Sequence, residues 1–341
     1  MKSLFFACGL LFLLAFAGFV CGPATPPNFW LARLNSIDLL VDAVAGEIAI
    51  FEVRSVHIIL AAATGFALAT AGRSMQNLLQ NSLADPHVVG LSSGSTTFVL
   101  LAILFAPAVS QKILWGWFPV LWLFSFAGAL LALFFLHLLF LKFVRVWGAP
   151  SLALSGLFLN AGLAAMLMVV FARLSPAGLS EVQAWTLGAI QPYSLRQSVF
   201  LLPFLLIPAL FLVRSDALLL MTSFGQDFAL TNGIDVIKLR FRVLLALTVL
   251  SAASVCAAGS VGFVGLLVPH LTRRWMSDVR QAWIKPVFNG VLGACVLVFA
   301  DLLSRTLTAP MELPVGVYTA LIAVPFLFVV LLRRSHGNSR I

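Results

Sequence analysis

The chain has 341 residues, of which 61% are apolar and only 10% are charged, and its formal net charge is +9. A soluble domain is nearer half apolar and a quarter charged, so a large water-soluble protein is excluded. Membrane lipid must be the solvent for most of the chain. We expect the basic residues to orient the chain in a membrane, and we expect no nucleic-acid partner.

Nine stretches lack Lys, Arg, Asp and Glu and are candidates for transmembrane helices, since about 20 apolar residues cross the hydrocarbon core. They are 3–32, 55–72, 86–111, 113–141, 146–172, 197–213, 243–272, 286–300 and 313–332. The shorter ones predict helices that extend past the flanking charges. Residues 1–22 have a basic start before an apolar run, as a signal peptide does. That run is long and no clean cleavage site follows, which favours a retained first helix.

The positive-inside rule gives the orientation. With Lys2 inside, alternate crossings place Arg73 and the later basic loops on the cytoplasmic side, but the run 243–272 joins two basic clusters. A single crossing would place the second cluster outside. A hairpin of two short helices, broken near Gly259 and Gly262, keeps both clusters inside. The prediction is an all-α polytopic protein with ten helices, both termini cytoplasmic, and 15 of its 21 Lys and Arg inside.

The predicted hairpin contains the stretch "GSVGFVGLLVPHLTRRW", which mixes glycines with an apolar run and then Pro-His and two arginines. Broken helices at membrane depth are tolerated only where protein or a cavity covers their free backbone groups. We therefore expect the hairpin to be buried inside the helix bundle. Its helix-weakening residues are Gly259, Gly262, Gly265, Pro269 and His270.

Small and amide-bearing residues recur at helical spacing in the second and fifth spans. Small residues let helices approach closely, and a buried amide hydrogen-bonds across helices. Helix packing and the lining of a translocation pathway are both open as their role. The residues are Gly65, Gly72, Gln76, Asn81, Gly156 and Asn160.

Two polar regions at the ends of spans have alternative interpretations. The inner loop of about 214–242 has turn glycines at Gly225 and Gly233 around a short helical stretch, and it is either a connector or a docking knob for a cytoplasmic partner. At the outer ends of their spans, Arg54 and Arg305 either anchor helices at the interface or dock a partner. No soluble domain fits elsewhere, so residues 1–341 are predicted to form a single transmembrane domain.

The sequence shows no catalytic or nucleotide-binding motif: the P-loop, H-E-x-x-H and G-x-S-x-G patterns are all missing. Ionisable residues deep in the spans are scarce, whereas a proton- or sodium-driven carrier needs them for coupling. We therefore expect a transporter that is not itself an enzyme, binds no cofactor or metal, and takes its energy from another subunit. The alternative is a stand-alone secondary transporter or channel for a small solute.

Four motifs resemble the FecCD-type ABC importer permeases. "GFALATAGRSMQNLLQNSLADPHVVGLSSGS" is similar to that family's signature, and "LTNGIDV" to its inner loop. "AGSVGFVGLLVPHLTRRW" and "FADLLSRTLTAPMELPVGVYTALIAVPFLFVVLLRR" resemble its two later motifs. The match runs in order from about residue 50 to residue 334, and motifs of this length are specific in combination.

The resemblance implies a homodimer of ten-helix subunits in the bacterial inner membrane that imports an iron-siderophore, haem or cobalamin. A cytoplasmic ABC ATPase would use the ATP, and a periplasmic binding protein would deliver the chelate. Binding-protein docking is implied for Arg54, His57 and Arg305. The implied ATPase coupling loop comprises Ser223, Gly225, Gln226, Asp227, Ala229, Asn232 and Gly233.

The chain departs from the family pattern at several positions. His57 replaces an arginine, which makes one docking contact weaker or pH-dependent. Ser82 replaces a proline, Thr231-Asn232 replaces the usual residues before Gly233, and Ala323 replaces a glycine ahead of Pro325. These departures indicate a divergent branch of the family, and the sequence does not identify which chelate it carries.

Overall fold

The computed structural model describes residues 2–20, 40–87, 89–110, 112–147, 151–173, 176–277, 281, 283–307 and 313–337. Helices make up nearly all of this part of the chain. In chain order the elements are α1 (Lys2–Val20), α2 (Leu40–Leu79), α3 (Leu91–Phe105), α4 (Pro107–Ser110), β1 (Ile113–Leu114), β2 (Phe118–Pro119), α5 (Val120–Trp147), α6 (Ser151–Arg173), α7 (Pro176–Leu187), α8 (Leu195–Thr222), α9 (Gln226–Thr231), α10 (Val236–Ala258), α11 (Val264–Trp275), α12 (Ile284–Thr306) and α13 (Val315–Gly337).

Ten of these helices occupy the ten predicted spans, in agreement with the predicted all-α, multi-pass architecture. By length and composition, α2, α5, α6, α8, α10 and α12 are able to cross a membrane, and α1, α3 and α13 hold shorter apolar stretches. The tenth is the 12-residue α11. Of the additional helices, α7 lies between two predicted spans and α9 is the short helical stretch predicted in the inner loop. The helix α4 lies at the end of the stretch 86–111, and the antiparallel pair of β1 and β2 lies at the start of the stretch 113–141, so the predicted spans are too long there.

Two helices continue well beyond their predicted ends. The second span was predicted as 55–72, but α2 runs to Leu79, and the span predicted as 197–213 belongs to α8, which runs to Thr222. Arg73 and Asp216, which lie within these extensions, pair with each other inside the protein, so they do not end the helices. The predicted inner loop of about 214–242 is therefore wrong in its bounds, because only residues 223–235 separate α8 from α10.

The hairpin is broken where predicted, but its first helix is not short. α10 has 23 residues and begins at Val236, where the side chain of Asp235 accepts a hydrogen bond from the backbone N–H of Lys238 at 3.0 Å. The chain leaves the helix at Gly259 and re-forms a helix at Val264. The structure corrects the prediction of two short helices to one full-length helix followed by one half-length helix.

The helix α2 lies at the centre of the bundle. It packs along α12 in antiparallel orientation, because Gly65 lies against Gly293 and the side chain of His57 lies beside Asp301. Contacts of its other faces join it to α8, α10 and α11. The buried core follows this helix, which therefore connects the two ends of the bundle.

Candidate functional site

A cavity of about 650 Å³ lies where the hairpin loop 259–263 meets α7 and α13. The loop contributes Ser260 and Phe263 to its lining, α13 contributes Leu321, and the segment after α2 contributes His87. Its lining is mostly apolar and its volume is within the range of ordinary small-molecule sites. The broken hairpin thus forms one wall of an open pocket on the described part of the bundle.

The hairpin loop is fixed to α7 and α13 by its backbone. Gly259 has φ 63° and ψ −158°, and a Cβ there would lie 2.8 Å from the carbonyl oxygen of Trp185, so the position requires glycine. The backbone N–H of Ser260 donates to that same oxygen at 2.8 Å. The hydroxyl of Thr319 in α13 donates to the carbonyl oxygen of Gly262 at 3.1 Å. These contacts hold the loop rigidly at the cavity.

The short helix α11 is held against the last turns of α2. A Cβ on Gly72 would overlap the carbonyl oxygen of Gly265, so the two backbones touch. The amide of Gln76 donates to the carbonyl oxygen of Gly265 at 3.4 Å, and the guanidinium of Arg273 donates to the amide oxygen of Gln76 at 2.8 Å. For Gly72 and Gln76 the structure shows packing between helices. The remaining predicted hairpin residues, Pro269 and His270, are buried within the same helix.

A second close contact joins α2 to α12. A Cβ on Gly65 would overlap the carbonyl oxygen of Gly293. One turn away, the fully buried amide of Asn289 donates to the carbonyl oxygen of Ala69 at 2.7 Å, and its oxygen accepts from the hydroxyl of Thr272 in α11 at 3.1 Å. Helices α2, α11 and α12 therefore form one tightly joined unit through small residues and amides.

The three residues predicted to dock a binding protein are all buried, two of them in the first half of α2 and one at the end of α12. Nδ1 of His57 lies 3.1 Å from Oδ1 of Asp301, and the guanidinium of Arg305 donates to Oδ2 of the same carboxylate at 2.7 and 3.1 Å. Arg54 is 9% exposed. Asp301 thus gathers His57 and Arg305 into one cluster that joins the two helices, and docking by these residues stays a prediction.

The inner loop between α8 and α10 forms a helical knob, as predicted. Gly225 and Gly233 flank α9 with φ of 118° and 75°, and Ala229 is buried with its N–H donating to the carbonyl oxygen of Gly225. Phe224 and Phe228 project from the knob, 76% and 47% exposed, with ring centroids 5.7 Å apart. The other predicted residues, Ser223, Gln226, Asp227 and Asn232, lie in or beside α9.

Local hydrogen bonds give this knob a defined shape. The amide of Asn232 donates to the carbonyl oxygen of Phe228 at 2.8 Å. The hydroxyl of Ser223 donates to the carbonyl oxygen of Leu220 at 2.6 Å. Hydrogen bonds from the backbone N–H and the ammonium of Lys238 lower the pKa of Asp235 below its ordinary value. The first of these hydrogen bonds is the N-terminal cap of α10, which begins directly after the knob.

Directly above the knob, α2 and α8 are joined by a buried ion pair that the sequence did not reveal. Nε and Nη2 of Arg73 donate to the two carboxylate oxygens of Asp216 at 2.8 Å each, and the amide of Asn77 donates to Oδ1 of Asp216 at 2.9 Å. The amide of Gln80 donates to the carbonyl oxygen of Thr222 at 3.4 Å. Arg73 and Asp216 are 143 residues apart, so no local sequence pattern could have predicted that they form a pair.

The remaining candidate residues serve packing and local structure. A Cβ on Gly156 in α6 would lie 2.7 Å from Cα of Val89, so the glycine permits a close backbone contact. The hydroxyl of Ser93 donates to the amide oxygen of Asn160 at 2.6 Å, which joins α3 to α6. Asn81 is exposed, and its side chain accepts a hydrogen bond from the backbone two residues further on.

These motifs and their arrangement agree with the comparison with known proteins. The sequence profile of the FecCD transport family matches residues 9–333. The chain belongs to the FecCD transport family. The uncharacterised ABC transporter permease protein YvrB of Bacillus subtilis (strain 168) is 34% identical over 291 residues, which are 84% of this chain and 79% of YvrB.

Two further relatives extend this assignment. The vitamin B12 import system permease protein BtuC of Vibrio cholerae (serotype O1, strain El Tor Inaba N16961) is 33% identical, over 85% of this chain and 84% of BtuC. A solved ABC transporter assigned to the metal-chelate type, in an inward-facing conformation, has a TM-score of 0.81 at 25% identity. The structural match covers 97% of this chain and 99% of the chain of that transporter. The FecCD fold therefore accounts for nearly the whole molecule.

Proposed function

We propose that this FecCD-family chain is the transmembrane subunit of an ABC importer that moves an iron-siderophore, haem or cobalamin-type chelate into the cell. Two copies form the pathway, a separate cytoplasmic ATPase supplies the energy from ATP, and a periplasmic protein delivers the chelate. The chain lies in the bacterial inner membrane with both termini in the cytoplasm. Family membership and the predicted charge distribution support this assignment.

The α9 knob is the observation that carries the proposal. A short helix with exposed aromatic rings, set between glycine turns at the end of a long helix, suits insertion into an apolar groove of another protein. Phe224 and Phe228 form an edge-to-face pair on its outside, and aromatic residues of this kind dominate binding energy in protein interfaces. Ala229 packs the knob onto the permease, so force on the rings passes to the α8 helix.

The cavity supports a bulky and largely apolar cargo. Its volume of about 650 Å³ and its wall of loop 259–263 and α13 suit the passage of a chelate whose charge is enclosed by organic groups. Phe263 lines it in a left-handed conformation, φ 69°. Such backbone strain for a non-glycine residue concentrates at functional sites. Two copies facing each other across such cavities would form a larger pathway.

The outer cluster supports docking of a binding protein at the end of the bundle opposite the knob. His57 and Arg305 contact Asp301, and Arg54 lies one turn before His57 on α2. The carboxylate fixes the Arg305 guanidinium in a defined orientation, and an arginine held in this way binds acidic side chains well. Interfacial anchoring of the two helix ends is the alternative role for these arginines.

A stand-alone secondary transporter remains the competing function. Ionisable groups are buried in the described helices after all, and such groups can couple transport to an ion gradient. Here Arg73 is paired with Asp216, and Arg305 with Asp301, so each charge is already neutralised by a partner. Buried pairs of this kind, one between α2 and α8 and one within α12, are typical of structural contacts more than of sites that bind and release ions.

Association with an ATPase tests the proposal directly. We expect the chain co-expressed with an ABC ATPase from the same organism to purify as a complex, and Phe224→Ala with Phe228→Ala to abolish that association while the chain remains in the membrane. Trp115→Ala removes an equally exposed aromatic ring from the β1–β2 turn at the far end and serves as the matched control. Full association of the double variant would remove the docking role of the knob.

A further inference from the structure

We propose that the buried Arg73–Asp216 pair, with Asn77, is a positioning element that transmits movement of the α9 knob to the hairpin wall of the cavity. This inference rests on the proposed function, because it needs an ATPase that moves the knob. The pair lies between the two elements in question, and every connection along the way is a hydrogen bond of 2.8–3.4 Å, a close backbone contact or a short segment of chain.

The pair itself is geometrically restrictive. Two donor atoms of one guanidinium meet two oxygens of one carboxylate at 2.8 Å each, so the contact resists rotation as well as separation. Arg73 is 7% and Asp216 is 2% exposed. Little of the pair is accessible to water, and the interaction between the charges is stronger than it would be on a surface. Asn77 adds a third hydrogen bond to the same carboxylate.

A stripe of donors on α2 extends this connection towards the knob. Arg73 and Asn77 are four residues apart on one face of the helix, and Gln80 follows directly after its last residue, Leu79. All three donate to α8, the last to the carbonyl oxygen of Thr222 at the end of that helix. α9 begins at Gln226, only four residues later. The last turns of α2 and α8 therefore move together when the knob moves.

A neighbouring face of α2 connects to α11. Gly72 touches Gly265 through the backbone, and Gln76 bonds both Gly265 and Arg273, so both the start and the end of α11 are fixed to α2. The loop 259–263, which forms one wall of the cavity, leads directly into the start of α11. The route from knob to cavity is thus α9, α8, the buried pair, α2 and α11.

The pair is better explained by this role than by stability. Replacing a buried ion pair by apolar residues of similar volume is often neutral or stabilising, because burying two charges carries a large desolvation penalty. Apolar side chains would hold α2 against α8 without fixing the rotation of one helix about the other. This difference allows coupling to be separated from folding by experiment.

The experiment uses the full chain in complex with its ATPase, with the four native cysteines replaced by serine and Leu321→Cys as a reporter in the cavity wall. The rate of labelling by a small thiol reagent is measured without nucleotide and after trapping with ATP and vanadate. We expect trapping to change the rate by about fivefold or more with the pair intact. The double variant Arg73→Met with Asp216→Leu is expected to assemble and hydrolyse ATP but to lose this change.

Arg214→Met is the matched control, because it removes an exposed basic residue from α8 two positions from Asp216. It should keep the full change in labelling. A full change in the double variant would overturn the inference. Should the double variant fail to assemble, Arg73→Lys decides: it keeps the charge but not the two-pronged contact, so a reduced change supports the inference and a full change overturns it. Failure of the reporter chain with its pair intact to bind an ATPase would instead refute the proposed function.

Discussion

The contact between Gly72 and Gly265 gives a sharp test of the packing that holds the hairpin. In the Gly72→Ala variant the new methyl group would overlap the carbonyl oxygen and Cα of Gly265. These are backbone atoms that cannot rotate away, so α11 would have to shift as a body. The shift would also stretch the hydrogen bonds from Gln76 to Gly265 and from Arg273 to Gln76.

Overpacking of this kind typically costs about 1–3 kcal/mol, and the better helix propensity of alanine offsets at most about 1 kcal/mol of it. We therefore expect Gly72→Ala to lower the thermal midpoint of the purified chain in detergent, measured by the fraction that survives heating as a monodisperse species. Gly162→Ala in α6 is the control, because no atom lies within 4 Å of its new methyl group. If Gly72→Ala were as stable as Gly162→Ala, the close packing of α2 on α11 would be refuted.

Three further predictions concern topology, the cap of α10 and the outer face. Single cysteines at Ser260 and Ser277 should label from outside and inside respectively, and labelling of Ser277 from outside would refute the hairpin topology. Because the pKa of Asp235 is lowered in the folded protein, its cap should stabilise the protein above about pH 4, and this stabilisation should be lost as the pH falls through that lowered pKa. The thermal midpoint of Asp235→Asn should lack this pH dependence. A pH profile identical to that of the unmodified chain would contradict the cap. Glutamate at both Arg54 and Arg305 should weaken binding-protein affinity by about 2–5 kcal/mol while the ATPase stays bound, and unchanged affinity would leave only helix anchoring.

The order and number of the helices could be predicted because apolar runs and basic loops act locally. Ten helices followed from requiring the clusters around Lys238 and Arg273 to lie on one side, which only a hairpin allows. The break at Gly259 was visible because glycine and proline disfavour a helix wherever they occur. The turn glycines Gly225 and Gly233 predicted the knob for the same reason.

Helix ends and long-range contacts could not be predicted in this way. Charged residues were taken as helix ends, yet Arg73 and Asp216 lie inside helices because each neutralises the other across 143 residues of sequence. His57 was expected to point towards a partner protein, but its nearest acid is Asp301, 244 residues away. The helix α7 was missed because it is short and partly polar and contains a charged residue, Glu181.

ATP-dependent uptake in reconstituted vesicles tests the central claim most directly. The chain is reconstituted with its ATPase in proteoliposomes, and uptake of ferric hydroxamate, haemin or cyanocobalamin is measured with the neighbouring binding protein present. The account predicts uptake of one of these chelates that requires both ATP and the binding protein and continues after ionophores collapse proton and sodium gradients. Uptake by the chain alone that stops when those gradients collapse would contradict it and would identify a secondary transporter.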